Sequence, residues 1–201
     1  MKYKINEIFY SLQGEGAHTG LPAVFVRFSG CNLKCDFCDT KHEEGEWITE
    51  ADIAAFINAY PAEWIILTGG EPSLFVDDNL VHYLHVATGK KIAIETNGTR
   101  KVPYAIDWIT FSPKHTTQQP LDISLFPIQR ADEIKVVDLG QELDFYFTLP
   151  QARSLTQMFL QPCFVADEEE YKKNIARTVE RVKADPRWRL SAQLHRFLSI
   201  P

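Results

Sequence analysis

Val24-Phe-Val-Arg-Phe-Ser-Gly-Cys31-Asn-Leu-Lys-Cys35-Asp-Phe-Cys38 carries two signals in succession. Its first half sets Val24, Val26 and Phe28 in alternation with Phe25, Arg27 and Ser29, the two-residue period of a β-strand. The strand runs through Gly30 into three cysteines spaced i, i+4 and i+7, close enough for their thiolates to converge on one centre. Thiolate is a soft ligand that selects zinc, copper(I) or iron–sulfur clusters. A fourth nearby Cys or His would close a structural zinc site. Cys163 is distant and His42 lies four residues beyond Cys38, so that closure is possible but not written into the spacing. On a cubane, three cysteines leave one iron without a protein ligand, open to a small molecule that chelates it. Arg27 is lodged among apolar neighbours, where a planar guanidinium either pairs structurally or aims at a carboxylate ligand in two-point fashion.

Working outward, short apolar runs at 5–9, 64–68, 92–95, 108–112, 133–137 and 157–161 read as further strands. Thr49-Glu-Ala-Asp52 opens a helical segment to Tyr60 in capping-box fashion. Residues 78–88 read as a second helix terminated by Gly89, and a third follows Asp167 with a Glu-rich first turn and a basic last turn to Lys183. Buried strands with helices or irregular stretches between them predict a mainly parallel α/β sheet. Polar motifs follow the strands: Ser11-Leu-Gln-Gly-Glu-Gly16, the cysteine loop, Thr68-Gly-Gly-Glu-Pro72, Glu95-Thr-Asn-Gly98, Ser112-Pro-Lys114 and Gln161-Pro162. Each is expected at the C-terminal edge of the sheet, where such folds bind ligands. Taken alone, the Gly-Glu-Gly turn reads as a surface turn.

With 201 residues, 45% apolar and 24% charged, the chain predicts one soluble domain over residues 1–201. The start has no apolar signal core and no run is long enough to span a membrane, so a cytoplasmic protein is expected. A net charge of −6 argues against a nucleic-acid surface. Four cysteines, three of them crowded, do not form a disulfide framework, and Cys163 reads as a buried thiol. The apolar tail ending at Pro201 is unlike a frayed terminus and is expected to dock.

The CxxxCxxC spacing with Phe37 before the last cysteine resembles the radical S-adenosyl-L-methionine (SAM) superfamily. Together with Phe9-Tyr-Ser-Leu-Gln-Gly-Glu-Gly16, the other strand-end motifs and the Pro201 end, the chain is similar to the 7-carboxy-7-deazaguanine synthase family nearly end to end. The resemblance implies a partial, modified TIM-like barrel of the radical SAM type. It implies a lyase of 7-deazapurine and queuosine biosynthesis, which converts 6-carboxy-5,6,7,8-tetrahydropterin to 7-carboxy-7-deazaguanine with loss of ammonia. By motif, Cys31, Cys35 and Cys38 would hold a 4Fe-4S cluster and Thr40 would bind Mg2+. Phe37, Cys38, Asp39, Gly70, Ser112, Pro113, Lys114 and Gln161 would contact SAM. Leu12, Gln13, Gly14, Arg27, Thr68 and the Pro201 carboxylate would bind the pterin, and Glu15 and His195 are added because their segments face the same site. A homodimer and an electron donor such as flavodoxin or ferredoxin are the family expectation. The rival readings are a glycyl-radical-enzyme activating enzyme, which would not be expected to carry Leu12-Gln-Gly-Glu-Gly16 with this terminus, and a non-catalytic zinc-stabilised interaction module.

Overall fold

The structure, a computed structural model, describes residues 1–114 and 126–201. The chain runs through β1 (Lys2–Leu12), β2 (Pro22–Phe28), β3 (Glu46–Thr49), α1 (Glu50–Asn58), β4 (Trp64–Gly69), α2 (Asp78–Thr88) and β5 (Lys91–Thr96). It continues with β6 (Trp108–Phe111), β7 (Glu133–Asp138), β8 (Gln157–Pro162), α3 (Glu168–Ala184), β9 (Arg189–Leu190) and α4 (Leu194–Leu198). Among the described residues the strands form one sheet in the order β3-β1-β2-β4-β5-β6-β7-β8-β9. Every neighbouring pair from β2 to β9 is parallel. β1 pairs antiparallel with both β2 and β3. The two edges stay apart, so this is an open, mainly parallel α/β sheet of partial-barrel type.

Local chemistry sets the starts of α1, α2 and α3 and the end of α2. Thr49 caps α1 by accepting from the Asp52 N–H at 3.1 Å, Asp77 caps α2 by accepting from Leu80 N–H at 2.8 Å, and Asp167 does the same for α3. Gly89 ends α2 with φ 66°, a left-handed conformation glycine adopts without strain. The acidic first turn and basic last turn of α3 match its dipole. The sequence pattern does not predict β3, β9 or α4. β3 has no buried alternate face, β9 is only Arg189 and Leu190, both exposed, and α4 buries no residue.

Alternation along the parallel strands separates two faces. Val24, Val26, Phe28, Ile65, Leu67, Ile92, Ile94, Ile109, Ile134, Val136 and Leu160 point into the apolar layer shared with the helices. The intervening residues point inward. Low in the interior these are Ala23, Phe25, Ile66 and Ala93, packed with Phe9, Trp64 and Trp108. Higher up they are polar: Arg27 pairs in register with Thr68, and Glu95 with Thr110.

One expectation is corrected here. The Gly-Glu-Gly motif follows β1, but β1 runs antiparallel, with Leu12 opposite Pro22 at the start of β2. The motif therefore leaves the sheet at the N-terminal edge of the parallel strands, not at the C-terminal edge. At that edge His18 lies against Trp64 and Trp108, with ring centroids 4.3 and 4.6 Å away. Residues 13–15 reach the cavity from below.

Candidate active site

The cysteine loop is held by His42 further along the chain and by neighbours at the ends of β4 and β5. Gly30 N–H donates to the His42 carbonyl at 2.7 Å and Glu71 N–H to the Gly30 carbonyl at 2.9 Å. Asn97 Nδ2 donates to Asn32 Oδ1 at 3.1 Å, and Asn32 Nδ2 to Thr99 Oγ1 at 2.8 Å. A Cβ on Gly70 would lie 2.2 Å from the Gly30 oxygen and 2.9 Å from Cys31 Cβ, so only glycine lets the end of β4 pack beneath the loop. The buried carboxylate of Glu71 ties the ends of β4 and β5 together, accepting from Ser73 Oγ and Thr96 Oγ1 at 2.6 Å and from Asn97 N–H at 2.7 Å.

Cys31, Cys35 and Cys38 line a single cavity of about 550 Å³. Burial pushes the Cys31 and Cys35 thiols up, opposed by the Leu33 N–H at Cys31 and by the Lys114 ammonium at Cys35. The Leu33 N–H donates to Cys31 Sγ at 3.4 Å, the kind of contact that tunes thiolate-held clusters. Cys163 stands apart, buried with its Sγ against the Phe164 carbonyl at 3.7 Å. Among the described residues, no three His, Cys, Asp or Glu side chains gather closely enough to grip one ion. Three soft thiolates lining one cavity fit a 4Fe-4S cluster, in which each would bind its own iron.

Below the loop the wall is a chain of polar side chains. Arg27 Nε pairs with Glu7 Oε1 at 2.7 Å, and its carbon Cζ lies 5.7 Å from the Phe9 ring centre. Gln13 Nε2 donates to Glu95 Oε1 at 3.0 Å. Lys135 Nζ sits between Glu15 Oε2 at 2.5 Å and Glu95 Oε2 at 2.6 Å. Gln161 Nε2 and Gln193 Nε2 both donate to Glu15 Oε1, at 3.1 and 3.0 Å. Burial alone would raise the Glu15 carboxyl, but the Lys135 charge and hydrogen bond, aided by Gln193, hold it down at about 2. Burial also works against the Lys135 charge, yet Glu15, Glu95 and Glu133 leave it above the ordinary lysine range.

The tail closes one side. Leu194 N–H donates to the Gly14 carbonyl at 2.9 Å, and a Cβ on Gly14 would strike His195 Nδ1 at 2.3 Å. Burial holds His195 below its ordinary value, against the pull of Glu15. Arg196 Nη2 and Gln193 Nε2 both reach Asp39 Oδ2, at 2.6 and 3.2 Å, and Ser11 Oγ donates to a Pro201 oxygen at 2.7 Å. The tail is docked, but through these polar contacts and not through its apolar side chains, since Phe197 and Leu198 are exposed.

One cavity brings together Leu12, Gln13, Gly14, Glu15, Arg27, Phe37, Asp39, Thr40, Thr68, Gly70, Ser112, Lys114, Gln161, His195 and Pro201 with the three cysteines. Pro113 is buried and is not part of that wall. Lys114 Nζ donates to Ser112 Oγ at 2.8 Å, and Thr40 Oγ1 to Asp39 Oδ1 at 3.3 Å. Sequence reasoning missed Lys135, Gln193 and Arg196, and placed Glu95 at the ligand-binding edge without giving it a role. Lys135 shares its strand with Glu133 and Asp138, and Glu95 shares its strand with Lys91, so neither stands out as a lone charge in the way Arg27 does. Gln193 and Arg196 carry no local signal.

A mainly parallel partial barrel with a three-thiolate loop after its first parallel strand is the architecture of a radical SAM enzyme, and the Radical SAM superfamily profile matches residues 25–124. The chain is 52% identical over 200 residues to the 7-carboxy-7-deazaguanine synthase of Bacteroides thetaiotaomicron, covering 100% of each. It is 39% identical over 225 aligned residues to that of Burkholderia multivorans, again covering 100% of each. Among solved structures, QueE from Escherichia coli superposes with a TM-score of 0.75 at 30% identity, covering 97% of this chain and 95% of that one. The chain belongs to the 7-carboxy-7-deazaguanine synthase family. These likenesses match the synthase reading, not the activating-enzyme or zinc-module alternatives.

Proposed function

We propose that the chain converts 6-carboxy-5,6,7,8-tetrahydropterin to 7-carboxy-7-deazaguanine with release of ammonia, within 7-deazapurine and queuosine biosynthesis. The observation that carries this reading is that motif residues scattered from Leu12 to Pro201 line one cavity beside the three cysteines. When bound to Cys31, Cys35 and Cys38, a 4Fe-4S cluster with SAM on its open iron supplies a hydrogen-abstracting radical.

The chain's own side chains then bind and orient. Phe37, Asp39, Gly70, Ser112, Lys114 and Gln161 would hold SAM at the thiolate end of the cavity, with the buried Pro113 between Ser112 and Lys114. Arg27 is anchored through Nε to Glu7, and among the described residues its two Nη groups have no partner. They can take the pterin carboxylate in two-point fashion. The guanidine-like N–H edge of the pterin needs acceptors, which Glu15 and the Pro201 carboxylate would provide. Leu12, Gln13, Gly14, Thr68 and His195 complete that wall. Thr40 would offer its hydroxyl to Mg2+, a hard cation that takes oxygen ligands and keeps much of its shell from substrate and water. The apolar floor of Phe9, Phe25 and Ile66 shields a reactive species from side reactions.

A cytoplasmic homodimer served by flavodoxin or ferredoxin completes the proposal; no helix among the described residues is long and apolar enough to cross a membrane. The test is anaerobic incubation of reconstituted protein with SAM, dithionite, Mg2+ and the carboxypterin. Formation of 7-carboxy-7-deazaguanine with ammonia is expected. Absence of both from protein carrying iron and sulfide would overturn the assignment.

A further inference from the structure

Lys135 is 5% exposed, near the middle of β7, and its ammonium has no role in the sheet's hydrogen bonding. A lysine ammonium is costly to bury unless it is paired. Its two partners come from separate parts of the chain: Glu15 from the turn after β1 and Glu95 from β5. Both carboxylates line the cavity, as does Lys135 itself. Their remaining oxygens are fixed by amides, Gln13 on Glu95 and Gln161 with Gln193 on Glu15. One cation thus joins the turn, two strands and the tail at the cavity wall.

We propose that Lys135 is a positioning residue of the pterin site, its ammonium fixing the Glu15 and Glu95 carboxylates as paired acceptors facing the cavity. The inference rests on the pterin reading above and deepens it by naming what holds the acceptor side of the site together. Two adjacent carboxylates accept from a guanidine-like N–H edge only while both are ionised, and like charges at this distance do not both ionise without a counter-ion.

The other charged groups facing the trio are few. Glu133 lies on the same inward face, buried, accepting from Ala17 N–H at 2.8 Å and Thr110 Oγ1 at 3.0 Å. His18 feels the charge of Glu95, and His195 that of Glu15. Asp39 and Arg196 reach Glu15 only through Gln193. None can replace the ammonium, since Glu133 and Asp39 are acidic, burial holds both histidines toward the neutral form, and Arg196 is committed to Asp39.

The experiment compares wild type, K135M and K135R as anaerobic, cluster-loaded proteins, with carboxypterin affinity measured by calorimetry from about pH 6 to about pH 8 and thermal melts as a check on folding. Wild type should bind with an affinity nearly flat across this range. K135M should bind about 30-fold more weakly at neutral pH, and tighten as pH rises and the carboxylate left without a counter-ion loses its proton. K135R keeps the charge and should keep the flat profile. Wild-type affinity and a flat profile in folded K135M would overturn the proposal, as would a pH-dependent loss in K135R equal to that in K135M. If K135M does not fold, K135R alone decides: a flat profile supports the role and a steep one overturns it. Failure of wild type to bind or convert the pterin would sink the functional reading instead, a distinguishable result.

Discussion

Lys135 and Asp138 lie three residues apart on β7 and point to opposite faces, and both are buried charges with opposite-charge partners. Asp138 is wholly enclosed. It accepts from Thr178 Oγ1 at 2.8 Å, Gly140 N–H at 3.0 Å and Arg181 Nη1 at 2.5 Å, with Arg177 Nε at 3.3 Å. Burial opposes its charge, but these donors hold its carboxyl below the usual range. Its side-chain partners come from α3, so the cluster staples a helix to the sheet. The partners of Lys135 are themselves cavity wall. Burial and pairing look alike at the two sites. Whether a buried charge serves the fold or the site is decided by where its partners face.

The comparison breaks if mutations on the cavity side act on the fold, or those on the helix side act on chemistry. The largest effect is expected from C35S, which should abolish product formation and lower bound iron while leaving the melting temperature of the metal-free protein close to wild type. Next, D138A leaves Arg177 and Arg181 without their carboxylate and should cost about 3 kcal/mol of stability in denaturant titrations. Its kcat/KM per folded molecule should stay within about threefold of wild type. A greater loss of activity would place Asp138 in the site after all. R27Q should raise KM for the carboxypterin by about 30-fold, through loss of a two-point carboxylate contact, with little change in melting because its Glu7 partner is exposed.

The smallest effect sharpens the comparison in acid. A carboxylate held below its ordinary value contributes stability above its unfolded pKa and loses it as pH falls through the folded one. For Glu15 that window runs from its ordinary 4.5 down to about 2. The melting temperature of wild type should therefore fall over this range more steeply than that of E15Q. Equal slopes would mean that the Lys135 pairing contributes nothing to folding.

Much of this arrangement is legible in the sequence, because the parallel strands are short and apolar and their polar members fall on one face. Arg27, Thr68 and Gln161 are visible as interruptions of that pattern, and the cysteines by their spacing. The direction of β1 is not legible, since alternation is the same for parallel and antiparallel strands. The pattern therefore predicts the Gly-Glu-Gly turn at the edge opposite the one it occupies. Lys135 is less legible than Arg27, because Glu133 and Asp138 flank it in the same short strand and hide its place on the inward face. The roles of Gln193 and Arg196 were out of reach, because their partners Glu15 and Asp39 lie far away along the chain and no local pattern encodes such a pairing.

The docked tail also bears on how the enzyme is made. Gln193, His195 and Arg196 emerge from the ribosome after nearly every other wall residue of the cavity, whereas the cysteine loop emerges early. A nascent chain would therefore display its thiols well before the pocket that shelters them is complete. Cluster delivery during synthesis would leave reactive iron uncovered, so biogenesis is safer when loading follows release of the finished polypeptide.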